Sequence, residues 1–482
     1  VQQKGEYTVQ FIRHSLCLIP VLAATSTVAA PKLPAPPDPP PKAEKLGAKI
    51  QRAMTLMATS TPERHNKVKV LFYGQSISRG PWSNEVGTYL REKYPHADLE
   101  IANHSRGGHT APVLINCAKF DLYPFYPDLL IFHVYGGDDS GELEEIIARA
   151  RRYTTADILI WTPHYRWPQD LPGNTPWDDP AVIKTGKSDD HHAVRLREIA
   201  KKYNCELADI RPQWRAYLDK HGLEAKGMLG DGIHPNGLGQ HLLAALIKPY
   251  LNYTATEKTA DWQDRVRDLA ADSPLIKKMV DGALEITFEG NRIDVITDPA
   301  ATKPGAAKVL LDGKRPSEFP ECYAMTPSTK MWGHYWPALR SMSWNAPLLV
   351  EDWTARVLAV DEKTGRVDFE VIGSKTGHDG KGNTKEKFVS KSGRIVTDQK
   401  SWIFYYKAFL RKGPLPVGYE VKWSAVSLST DEYKPEPVTD KTRESVTTLV
   451  QGVPNGRHVL RLEPTGDAPL ALAGFRVYRP SH

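Results

Sequence analysis

The sequence predicts a three-layer α/β domain built on a parallel sheet, followed by an all-β sandwich. Three observations predict it. Between about residues 64 and 254, apolar strand-like runs alternate with helical stretches. From Leu284 onward, short strand-like runs are broken by Gly, Pro and Asp. The length of 482 residues leaves room for more than one core.

Taken in order, Lys67–Tyr73 (KVKVLFY) reads as a first strand and Trp82–Tyr94 as a helix. Asp98–Asn103 is a second strand, with a helix around Pro112–Phe120. Asp128–Tyr135 (DLLIFHVY) has the near-continuous apolar character of a strand covered on both faces. Gly141–Tyr153 reads as a helix, Asp157–Thr162 as a fourth strand, and Pro163–Ser188 as a long loop. A helix over Asp189–Tyr203, a fifth strand over Cys205–Ile210 and a helix over Gly237–Leu251 complete the domain. Residues 255–283 are charged and expected to form a helical linker. Residues 284–482 form the β domain, with Pro454-Asn455-Gly456 expected to turn a hairpin.

The first thirty residues have the pattern of an export signal. Arg13 and His14 precede an apolar stretch from Leu16 to Ala24, and small residues run through Ala29 and Ala30. A secreted or periplasmic protein is expected. Residues 31–63 read as a proline-rich spacer, with seven prolines between Pro31 and Pro41, and a short helix over Glu44–Met57.

Lys plus Arg number 63 against 57 Asp plus Glu, a net charge of +6 without basic runs, which argues against nucleic acid as partner. No unbroken apolar segment reaches the roughly 18–20 residues of a membrane span. The four cysteines show no metal-binding spacing and allow at most one disulfide once the leader is removed.

Chemistry-bearing residues gather at strand ends. The first strand ends in Gly74-Gln75-Ser76. Alone, such a serine reads as a helix N-cap. At the carboxyl end of a parallel strand it also stands where open α/β sheets place reactive groups. Asp231-Gly232-Ile233-His234 lies before the last helix, with an aspartate spaced to orient the imidazole by one ring nitrogen. Asn103–Thr110 (NHSRGGHT) follows the second strand, with glycines that allow backbone N–H groups near an oxyanion. Gly136-Gly137-Asp138-Asp139 follows the third.

These four loops in this order resemble the SGNH (GDSL-type) hydrolase family over residues 64–254. The resemblance implies Ser76 as nucleophile and Asp231 and His234 as its partners. It also implies that the Ser76 and Gly108 N–H groups form the oxyanion hole, with Asp138 at the position of the family's third donor. Two departures are plain: GQS replaces GDS, and Asp138 stands where the family has asparagine. An ionised carboxylate cannot donate to an oxyanion. Asp138 is therefore expected near the reaction centre, either protonated by burial or a neighbouring carboxylate, or replaced in its task by the Gly137 N–H, Asn103 or His109.

The implied function is a secreted serine esterase that deacylates a polysaccharide or acylated sugar, needing no metal or organic cofactor. His109, Arg166 and Trp167 are candidate substrate contacts, Arg166 for a carboxylate or sulfate and Trp167 for a sugar face. Packing of the long loop onto the domain is the competing reading for Arg166 and Trp167. Asp189, Asp190, His191 and His192 are expected to open a helix rather than bind metal. His133 is expected in the core and Cys117 packed in a helix. The C-terminal VPNGRHVLRLEP and LAGFRVYRP segments loosely resemble galactose-binding-like carbohydrate-binding sandwiches. Two alternatives remain open: a glycoside hydrolase using Asp138, Asp139 and Asp231, and a non-catalytic carbohydrate-binding protein on a degenerate hydrolase scaffold.

Overall fold

Alternate residues of the first strand, β1 (Lys67–Gly74), point to opposite apolar cores. Val68, Val70 and Phe72 enter one cluster, and Leu71 and Tyr73 the other. A computed structural model describes residues 33–40, 45–254, 264–403 and 412–482. The expected export signal lies outside them, as do part of the proline-rich spacer and the start of the expected 255–283 helix.

Around β1 stand β2 (Asp98–Asn103), β3 (Leu129–His133), β4 (Asp157–Trp161) and β5 (Glu206–Ala208), all parallel, in the order β2-β1-β3-β4-β5. One face is covered by α1 (Gln51–Ala58), α2 (Trp82–Lys93), α6 (Ile210–His221) and α7 (Gly237–Ile247). The other is covered by α3 (Ala111–Asp121), α4 (Glu142–Tyr153) and part of α5 (Pro180–Lys202). The chain leaves β1 for one side and returns to the other, so the carboxyl ends of β1 and β3 flank the switch point where such sheets bind ligands.

Several boundaries differ from the sequence reading. Helix α5 begins nine residues early, because Asp179 caps it by accepting from Ala181 N–H and Pro180 fits its first turn. The Asp189–His192 run is thus mid-helix, not an N-terminus. Helix α6 was not anticipated. Helix α1, expected in a linker, is built into the domain: Met54 and Met57 are buried, and Ala53 N–H donates to Asp157 at 2.9 Å.

The C-terminal region comprises β6 (Val266–Ala270), β7 (Ile276–Lys278), β8 (Leu284–Thr297), β9 (Ala307–Leu311), β10 (Tyr323–Met325), β11 (Glu351–Asp361) and β12 (Arg366–Gly373). It continues with β13 (Gly377–Asn383), β14 (Phe388–Val389), β15 (Val396–Thr397), β16 (Glu420–Ser427), β17 (Glu432–Tyr433), β18 (Val446–Pro464) and β19 (Leu472–Tyr478). An antiparallel sheet β10-β16-β11-β12-β13 and a second one, β17-β9-β18-β8-β19-β6, share one apolar core. Ile293, Val309 and Leu460 enter it from one sheet, and Trp353, Phe369 and Val421 from the other. Strands β6 and β7 overturn the helical reading of residues 266–270 and 276–278: both are claimed by β19 and β8. Pro454-Asn455-Gly456 does not reverse the chain either. β18 keeps β8 as partner on both sides of it, and the surplus residues form a bulge between Gln451 and Gly456.

The α/β and β-rich regions are joined by specific contacts. Phe120 of α3 belongs to the β-rich core. Tyr126 Oη donates to Asn291 at 2.8 Å, and Arg265 meets Asp157 at 3.0 Å. Among the described residues, no helix is long and apolar enough to cross a membrane.

Candidate active site

Ser76 sits on a tight turn that leaves β1. Gly74 is obligatory there, since a Cβ would lie 1.9 Å from the His133 carbonyl oxygen. The turn is fixed to β3 by Ser78 Oγ, which donates to that same oxygen at 2.9 Å. It is fixed to α2 by the Trp82 indole, which donates to Ile77 O at 2.7 Å.

His234 is presented by a loop held from three sides. Gly230 N–H donates to His234 O at 2.8 Å. Trp167 N–H donates to Gly232 O at 2.9 Å, and His164 Nε2–H donates to Ile233 O at 2.7 Å. Gly232 has φ +74 and a Cβ there would meet Trp167 O at 2.7 Å, so the approach depends on glycine. Asn236 ends the loop by capping α7.

The result brings Ser76, His234 and Asp231 together. His234 Nδ1–H donates to Asp231 Oδ2 at 2.7 Å, leaving Nε2 to accept from Ser76 Oγ–H at 2.9 Å. Asp231 Oδ1 also accepts from the backbone N–H of Ile233 and His234. Burial works against ionisation of this carboxyl. The hydrogen bonds from His234 and Ile233 outweigh it and hold Asp231 below the ordinary carboxylate range.

Beside the serine is the glycine loop. The backbone N–H groups of Ser76 and Gly108 donate to no group among the described residues. Gly107 lies against Ser76: a Cβ on it would come 3.8 Å from Ser76 Cβ. Gly108 has φ +75 and lies under Trp336 of the β-rich region. Asn103 is not free to donate to substrate. Its amide donates to Ser78 O and Ser83 Oγ, tying the first loop to the second.

Asp138 does not serve as the oxyanion donor expected of its position. Its Oδ1 accepts from His192 Nδ1–H on α5. Burial favours the neutral form, but the hydrogen bond and charge interaction with His192, and His191 beyond, hold the carboxyl below its ordinary range. It is an ionised acceptor, so of the alternatives expected for this position the protonated carboxyl is the one set aside.

His109 lines a cleft beside Tyr335 and Trp336 although it is only 1% exposed, with Nδ1 on Gly107 O and its ring edge-on to Trp336; burial lowers its pKa to about 4, so it is neutral. The other two substrate-contact expectations are corrected. Arg166 is committed to Asp189 at 2.7 Å, a carboxylate only 1% exposed. Trp167 is 2% exposed and packs edge-on to Trp177. Packing claimed both loop residues. The Asp189–His192 run explains why: Asp189 pairs with Arg166, Asp190 with Arg211, His191 with Asp139 and His192 with Asp138. One helix thereby fastens the loops after β3 and β4. Among the described residues no group of three or more His, Cys, Asp or Glu is placed to hold a metal ion. Cys117, Cys205 and Cys322 are buried free thiols.

Two residues near Ser76 escaped the sequence reading. Trp336 Nε1–H donates to Gly107 O at 2.8 Å, and Tyr335 stands 3.7 Å from where a Gly107 Cβ would be. They lie on a short loop without helix or strand character, and nothing local marks them.

No family model and no curated protein matches the chain. Among solved structures, it is similar to a two-domain esterase active on acetylated mannans, crystallised with mannopentaose. That match has 14% identity, covers 92% of this chain and 99% of that one, and has a TM-score of 0.35. It is also similar to a mutant acetyl-xylooligosaccharide esterase from Geobacillus Stearmophilus (17% identity, 40% and 98% covered, TM-score 0.33). A third is an α/β hydrolase enzyme from the metagenome of Lake Arreo, Spain (19% identity, 38% and 96% covered, TM-score 0.32). In the order of its four loops and in its β2-β1-β3-β4-β5 parallel sheet, the chain resembles the SGNH hydrolases.

Proposed function

We propose that this protein is an exported serine esterase that removes acetyl or similar acyl groups from a polysaccharide. The observation that carries the reading is the relay Ser76–His234–Asp231, with contacts of 2.9 and 2.7 Å. Ser76 Oγ attacks the ester carbonyl while His234 Nε2 takes its proton. Asp231 stays ionised and stabilises the imidazolium. The N–H groups of Ser76 and Gly108 receive the negative charge on the carbonyl oxygen. His234 returns the proton to the departing sugar oxygen, leaving an acyl-serine. Water, deprotonated by His234, attacks the acyl carbon, and the acid leaves as Ser76 is re-protonated. Export is supported by the leader-like pattern of residues 1–30, and a saccharide by the aromatic residues Tyr335 and Trp336, which pack on the glycine loop beside Ser76.

The paired-carboxylate alternative has less support. Asp138, Asp139 and Asp231 are each engaged by a histidine, and Asp138 is held ionised where a glycosidase acid needs a proton. The test is turnover of p-nitrophenyl acetate and of acetylated xylan and mannan by the wild type and by Ser76→Ala. Loss of turnover with unchanged melting is expected. Near-normal turnover in a folded Ser76→Ala protein rejects the nucleophile, and absence of turnover in the wild type rejects the esterase.

A further inference from the structure

A cleft of about 410 Å³ opens on the glycine loop, and its walls come from both regions of the chain. Arg79, Arg106, Asp121 and Phe120 line it from the α/β domain, Tyr335 and Trp336 from the β-rich region. Its size is that of a site for a small ligand or one to two sugar rings. The cleft is tied to the nucleophile through Gly107. A single methyl on that residue would touch Tyr335 at 3.7 Å and Ser76 at 3.8 Å.

The charges lining the cleft do not cancel. Arg106 and Asp121 neutralise each other in a two-pronged pair, with contacts of 2.6 and 2.7 Å. His109 is neutral, its pKa lowered to about 4 by burial. Arg79 is left over: it is exposed and its side chain has no hydrogen-bond or ion-pair partner among the described residues. It is also positioned by the nucleophile's own turn, since Arg79 N–H donates to Gln75 O at 3.0 Å. A guanidinium so placed presents a planar fork that fits a carboxylate or sulfate.

The opposite wall is aromatic. Tyr335 is 47% exposed, and one face of its ring is stacked on His334 at 4.4 Å, which stiffens it. Trp336, hydrogen-bonded to Gly107 O, anchors the same loop. Such a ring offers a sugar face apolar contact at low entropic cost.

We infer that this cleft is a composite subsite for an anionic sugar residue next to the scissile ester, with Arg79 selecting the charge and Tyr335 supporting the ring. The inference rests on the esterase reading and narrows its substrate to acylated saccharides that carry a uronate carboxylate or a sulfate ester.

The experiment measures kcat/KM on three acetylated xylo-oligosaccharides of equal length: neutral, glucuronate-bearing and sulfated. The wild type is expected to favour at least one charged ester over the neutral one by about tenfold, the favoured arm identifying the anion. Arg79→Gln is expected to bring that ratio to about one, and Arg79→Lys to restore part of it. Tyr335→Ala is expected to lower kcat/KM on charged and neutral esters alike by about tenfold, leaving the ratio in place. A ratio near one in the wild type, or one that survives Arg79→Gln, overturns the inference. A binding arm separates this failure from that of the esterase reading. Ser76→Ala protein titrated with the deacetylated glucuronate-bearing and sulfated oligosaccharides should bind one of them about tenfold more weakly once Arg79→Gln is added. Binding of neither, or binding that ignores Arg79, overturns the subsite whether or not esters are turned over.

Discussion

Trp336 donates its indole N–H to the carbonyl oxygen of Gly107 across 2.8 Å, joining two positions 229 residues apart. Gly107 O also takes the weaker 3.3 Å contact from His109 Nδ1. The glycine loop beside Ser76 is therefore shaped from outside its own domain, and the geometry of the surroundings of Ser76 depends on the seating of the β-rich region.

The two glycines of that loop should respond differently to alanine. At Gly108 the new Cβ would lie 2.6 Å from Trp336 Cζ2 on a backbone with φ +75. A stability loss of about 1–2 kcal/mol is expected, read by denaturant unfolding together with a change in tryptophan emission. At Gly107 the nearest atoms are at 3.7 and 3.8 Å, ordinary contact distances. Gly107→Ala should fold with stability changed by less than about 0.5 kcal/mol. Its methyl should nevertheless lower kcat/KM more on sugar esters than on p-nitrophenyl acetate. Equal losses on both substrates would show that the cleft is not where the sugar lies.

Asp138→Asn should leave ester turnover within about threefold of wild type, because the carboxylate faces His192 rather than a developing oxyanion. Its stabilising effect exists at pH values above the ordinary carboxylate range. It fades as pH falls through the lower value of the folded state. The variant should lose about 1 kcal/mol at neutral pH and less in acid. A large fall in kcat without a change in melting would place Asp138 at the reacting atoms after all.

His164 and His109 are both buried, and burial lowers the pKa of each to about 4. The unfolded chain binds protons on these rings near pH 6.5. Their effect on folding is thus favourable above about pH 6.5 and is lost as pH falls toward 4. His164→Gln keeps a donor for Ile233 O but cannot charge. Its melting temperature should fall less between pH 6.5 and 4.5 than that of the wild type. Parallel melting curves would show that His164 is not the group taking up the proton.

Arg166→Ala tests whether that residue is structural. It would leave Asp189, 1% exposed, without its partner. A loss of about 2–4 kcal/mol is expected, with KM for acetylated sugars unchanged in the protein that remains folded. A rise in KM at near-wild-type stability would return Arg166 to the substrate.

The sequence by itself determined the parallel sheet and the meeting of Ser76, His234 and Asp231. Apolar runs such as DLLIFHVY bury on two faces whatever their neighbours. A parallel sheet delivers strand ends to one edge, which places Ser76 after β1; Asp231–His234 follows α6 rather than a strand, and its meeting with Ser76 was legible through the resemblance of the four ordered loops to the SGNH hydrolases. Tertiary structure decided the partners. Arg166 and Trp167 are residue types that suit a sugar, yet Asp189 and the Trp177 ring claimed them. Asp138 has the chain position of an oxyanion donor, yet a histidine on α5 turned it into an ionised acceptor. The Asp179–Pro180 cap is local and legible, whereas the more acidic Asp189–Asp190 pair lies inside the helix. The single strand from Val446 to Pro464 was not legible, because register with β8 overrode the local turn signal of Pro454-Asn455-Gly456. Nor were Tyr335 and Trp336, which acquire their place at Gly107 only when two cores pack together. Side-chain partners are set by burial and charge compensation between distant segments, and that competition is resolved in three dimensions rather than along the chain.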